Sequence, residues 1–74
     1  VQRAGRKEVQ RLERELDRAT GRERDLHDQM AASATDHARL HELQAALGDA
    51  QAERERLEAA WLEAAESLEG GPAG

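Results

Sequence analysis

Val9, Leu12, Leu16, Ala19, Glu23, Leu26 and Met30 are separated by alternating steps of three and four residues, the 3.5-residue repeat of a helix that packs along one edge. Leu40, Leu43, Leu47, Ala50, Arg54, Leu57, Trp61, Ala64 and Leu68 repeat the alternation in the second half. Each series carries one polar intruder, Glu23 in the first and Arg54 in the second. The pattern predicts two long helices. Gly70, Gly71 and Pro72 are expected to end the second, because Gly suits a helix C-terminus and Pro cannot continue the ladder.

The step from Met30 to Leu40 shifts the heptad phase by three residues, which strains a continuous coiled coil. A turn removes the strain. Ser33-Ala34-Thr35-Asp36 supplies helix-capping residue types, so Thr35 or Asp36 is expected to accept the free N–H groups of a new helix. The fold class predicted is all-α, an antiparallel two-helix coiled-coil hairpin over residues 1–69. Helix 1 is placed at about 5–33, the turn at about 33–36, helix 2 at about 36–69, and a flexible tail at 70–74. The competing architecture is one long helix in a parallel homodimer with a local irregularity.

Folding back pairs residues whose numbers sum to roughly 70. This sets Met30 beside Leu40, Leu26 near Leu43, Ala19 against Ala50, Leu12 near Leu57 and Val9 beside Trp61. Gly5 and Ala64 are expected to leave room for the Trp61 ring, which fills the seam. Arg54 falls opposite Leu16, where Glu13 or Glu15 is expected to neutralise it. Gly21 and Gly48 lie at one level; a flex point is one reading, two tolerated surface glycines the plainer one.

Composition narrows the function. Only 74 residues and a single aromatic make a thin core without a closed catalytic pocket, and 36% charged residues suit long solvated helices. The regular spacing of the apolar residues argues against disorder. Without cysteine there is neither a disulfide nor a thiolate metal site. No apolar run approaches the roughly 20 residues that span a bilayer, and the N-terminus lacks a signal-like stretch, so a soluble, cytoplasmic protein is expected. A start on Val1 in polar, helix-prone text reads as a piece of a longer chain.

Charge is unevenly divided. Residues 1–34 hold eight Lys or Arg against seven Asp or Glu, whereas residues 35–74 hold three against nine. On helix 1, Arg3, Lys7, Arg11, Arg14, Arg18 and Arg22 follow steps of three or four, a stripe along the face turned from the seam. Such a row can track a phosphate backbone. Equally, it can be a solvated face balanced by Glu8 and Glu15; the overall charge of −5 and the lack of interleaved aromatics favour that account on pattern alone. His37 and His41 lie one turn apart, with His27 near the same end, but no third ligand is evident and no metal site is assigned. Exposed carboxylates without desolvation give no general acid or base, and no phosphate-cradling glycine loop occurs.

Three stretches, RKEVQRLERELDR (Arg6–Arg18), LHDQMAASATDHARLHEL (Leu26–Leu43) and ERLEAAWLEAAESLE (Glu55–Glu69), resemble the C-terminal coiled-coil extension of ABC-F ATPases, particularly Uup-like members from actinobacteria. His37 stands where an aromatic such as Tyr is expected in many relatives. The resemblance implies a non-catalytic piece of a parent whose two upstream ATP-binding cassettes use ATP and Mg, with no cofactor of its own. It implies a translation-associated accessory element whose partners are rRNA or DNA backbone, the ribosome and its own upstream ATPase domains. The implied contact face is basic, with Arg11, Arg14 and Arg18 at its centre and Lys7 and Arg22 at its ends. A monomer is expected; the alternative is a structural spacer or homodimerisation module that binds only protein.

Overall fold

The computed structural model describes residues 2–70, with side chains described from 5 to 68. Helix α1 runs Gln2–Ala32 and helix α2 runs His37–Gly70. They lie antiparallel along a rod of 56 × 16 × 13 Å. Of the tail expected at 70–74, Gly70 closes α2 and residues 71–74 lie outside the described residues, as does Val1.

The turn is local backbone chemistry. The Ser33 N–H donates to the Gln29 and Met30 carbonyls (3.0 and 3.1 Å), satisfying two acceptors at the end of α1. The Asp36 N–H then donates to the Ser33 carbonyl (2.9 Å), which reverses the chain without any residue of positive φ among those described. Of the two candidate caps, Asp36 does the work: its Oδ1 accepts the Arg39 N–H (3.0 Å), and its carbonyl accepts the Leu40 N–H (2.9 Å) to start α2. Arg39 Nη2 also donates to Gln29 Oε1 across the tip (3.1 Å).

Both heptad series face inward. Leu12, Ala19, Leu26, Leu43 and Ala50 are buried, and every other member of the two series is half-buried, including Glu23 and Arg54. A core cluster lies in the half nearer the turn, where Leu26, Leu43 and Ala50 meet Met30, Ala46 and Leu47. Burying a large apolar side chain is worth roughly 1.5–3 kcal/mol, so a few leucines carry the association.

Two expectations are corrected. Arg54 meets neither Glu13 nor Glu15: its Nε donates to Glu23 Oε2 (2.5 Å) and its Nη1 to Glu58 Oε2 (3.0 Å). Glu13 instead accepts from Trp61 Nε1 (3.2 Å), and Glu15 from Arg11 Nη1 (2.6 Å). Gly5 makes room for Leu68, whose Cδ2 would stand 3.2 Å from an added Cβ, and not for the Trp61 ring. Side-chain direction explains the offset. Each Cα–Cβ bond tilts toward its own helix N-terminus, which lies at opposite ends of the rod for α1 and α2. Side chains of α1 therefore lean away from the turn and those of α2 toward it. Glu23 and Arg54 reach each other although their numbers sum to 77, above the roughly 70 expected for facing positions.

Candidate nucleic-acid interface

Lys7, Arg11, Arg14, Arg18 and Arg22 all lie on α1 and are exposed. Arg3 belongs to the same helix, but its side chain lies outside those described. The row is not electrostatically uniform. Arg11 is held on both sides, by Glu8 (Nη2–Oε2 2.5 Å) one turn before it and Glu15 (2.6 Å) one turn after. Hydrogen bonding to Glu8 and then Glu15 raises the Arg11 pKa above the usual guanidinium value. The Arg11 hydrogen bond in turn holds the Glu8 carboxyl below the usual carboxylate range, with slight burial acting against it and attraction to Arg11 adding to it. Among the described residues Lys7, Arg14, Arg18 and Arg22 have no ion pair within 4 Å. Arg14, Arg18 and Arg22 stand four residues apart, a spacing at which like charges destabilise a helix by a few tenths of a kcal/mol. An anion seated against them relieves that repulsion.

Arg18 and Arg22 also border a cleft of about 590 Å³ between the helices at mid-length. Buried Ala19 and Ala50 form its floor, so the helices leave space above them. Glu15 and Leu57 close one end of its lining. The opposite wall belongs to α2 and carries Asp49, Glu53 and Arg56. Arg56 pairs with Glu53 one turn earlier, its side chain 75% exposed, and Asp49 has no ion pair among the described residues. Lys7, Arg11 and Arg14 do not line this cleft. Asp49, Glu53 and Arg56 form no pattern within α2 alone that would mark them. Placing both helical wheels side by side puts them on the flank that holds Arg18 and Arg22.

The turn end carries His27, His37 and His41, all exposed. Among the described residues no group of three or more His, Cys, Asp or Glu is placed to hold a metal. No described helix is long and apolar enough to cross a membrane.

No curated protein and no solved structure matches this chain. The family model described as ABC transporter C-terminal domain matches residues 2–66, which take in α1, the turn and most of α2. With this two-helix architecture and a match over nearly its whole length, the chain belongs to the ABC transporter C-terminal domain family, as an accessory C-terminal helical domain of an ABC protein.

Proposed function

We propose that this hairpin is the accessory domain of an ABC-F type ATPase, of Uup-like kind, and that it binds nucleic-acid backbone and so helps to hold its parent on the ribosome or on DNA. The observation that carries the reading is the presence of exposed guanidinium and ammonium groups on one helix, Lys7, Arg14, Arg18 and Arg22, without ion pairs among the described residues. A rod with this edge lays several cations along a phosphate chain without entering a groove. ATP hydrolysis in this reading belongs to cassettes elsewhere in the parent, and the hairpin acts in the cytoplasm as a monomer.

Salt titration of oligonucleotide binding to the 74-residue chain tests it. If Z phosphates are neutralised, log K falls with log salt at a slope of roughly −0.7Z to −0.9Z. The triple variant R11E/R14E/R18E is expected to abolish binding while far-UV circular dichroism keeps its helical signal. Unchanged affinity in that variant sinks the reading.

One feature favours the second reading, a protein-binding spacer or dimerisation element. Ala38, Ala45, Ala52 and Ala59 recur every seven residues at exposed positions of α2, Ala52 also bordering the cleft, and Leu62 is 53% exposed. A concentration-dependent mass by sedimentation that is lost in L62E supports that reading; a monomer at all concentrations removes dimerisation.

A further inference from the structure

We propose that the phosphate contact is centred on the mid-length cleft between the helices, with Arg56 of α2 as a ligand beside Arg18 and Arg22 of α1, and with Asp49 as the charge that limits affinity. The inference rests on the reading of the chain as a nucleic-acid-backbone binder and moves the contact from the outer edge of one helix to a flank built by both.

The pairing of charges around the cleft carries the argument. Glu15 is engaged by Arg11, which it shares with Glu8, and Glu53 by Arg56, so both carboxylates already have a cation beside them. Arg18 and Arg22 remain as unpaired cations on one wall and Asp49 as the unpaired anion on the other, among the described residues. The lining carries Arg18, Arg22 and Arg56 against Glu15, Asp49 and Glu53, so the cleft is neutral overall where the chain as a whole has a net charge of −5. Arg56 is held by Glu53 only through an exposed pair one turn apart, a kind of pair that contributes little, so its guanidinium is free to turn to a stronger anion. The volume of about 590 Å³ falls within the roughly 300–1,000 Å³ of clefts that take small ligands. Phosphate oxygens suit the guanidinium rim, and Leu57 with the two floor alanines gives the intervening sugar an apolar bed. The ligand class is the phosphodiester backbone, shared by DNA and RNA.

The test measures binding of the full chain to a duplex DNA and to an RNA hairpin of equal length, over a salt series. R56Q is expected to weaken binding and make the salt slope shallower by about one, as for loss of one phosphate contact. D49N is expected to tighten binding about fivefold, the effect of removing one unit charge about 4 Å from a phosphate in water. R18Q and R22Q should each weaken binding, and K7Q should act less than either. The same order of variants on both nucleic acids supports a backbone-reading cleft; a different order on the two overturns it. If R18Q and R22Q weaken binding while R56Q and D49N change nothing, or if D49N weakens it, the cleft is overturned and backbone binding by α1 stands. If the unmodified chain shows no salt-dependent binding, both readings fall. Circular dichroism of each variant separates these results from unfolding.

Discussion

Glu23 and Arg54 are the only polar members of their heptad series, and they find each other across the seam, with side-chain exposures of 15% and 27%. Hydrogen bonding to Glu23 first, then to Glu58, raises the Arg54 pKa, so the guanidinium remains charged at the edge of an apolar interface. In a parallel homodimer the same positions would bring Glu23 against Glu23 and Arg54 against Arg54. The pair therefore favours the folded-back arrangement over that alternative. Thermal unfolding of a double-mutant cycle checks this: E23L and R54L each lower Tm, because R54L leaves Glu23 at the seam without a partner and E23L leaves Arg54 with the exposed Glu58 alone, whereas E23L/R54L recovers most or all of the loss. Additive losses would show that the two residues act independently. Gly48 makes the opposite point at this scale. An added Cβ there meets nothing within 4 Å, so G48A is expected to stabilise the hairpin by about 0.5–1 kcal/mol in urea unfolding, through the unfolded chain and helix propensity alone.

At the scale of the element, the near-surface hydrogen bonds of α1 respond to acid. Glu8 sits below the usual carboxylate range because Arg11 donates to its charged form. Its contribution is complete above that range and is lost as pH falls through the lowered value, so stability decreases with acidification below about pH 4. Amide hydrogen exchange along a pH titration is expected to show α1 opening first around Glu8 and Arg11, and E8Q is expected to remove that local pH dependence. The elements themselves were legible in the sequence. All members of the two heptad series are buried or half-buried, and the loss of phase between Met30 and Leu40 marks the turn that Asp36 caps. Less legible were the partners across the seam, because a backbone register says where Cα atoms stand and not which way Cβ bonds lean. Arg54 with Glu23 and Trp61 with Glu13 are displaced in the same sense for that reason, and at Gly5, which has no Cβ, only Leu68 leans. The cleft was hidden likewise: Arg56 and Asp49 carry no pattern on α2 and become neighbours of Arg18 and Arg22 only when two wheels are read together.

The whole molecule is one interface. Neither helix has another element to pack on among the described residues, so the clustered leucines serve both helices at once. Leu43 is 3% exposed, and L43A is expected to cost about 2–5 kcal/mol, a large share of the stability available to a chain of this size. Its signature is a joint one: amides of α1 and α2 lose protection together, and a variant in which α1 melts while α2 persists would contradict the single-seam description. Small chains have little surplus burial, which makes this sensitivity general and not a property of one leucine.

A chain reversal with no positive φ, and with exposed Ala34 and Thr35 at its apex, asks for no particular residue there. Cut between Ala34 and Thr35, the rod becomes two complementary peptides whose recombination depends on how concentrated they are. The covalent link supplies an effective concentration in the millimolar range for short connectors. Lengthening it with inserted glycines would dilute each helix with respect to the other gradually, giving a means of tuning how often the rod opens without touching its packed edge.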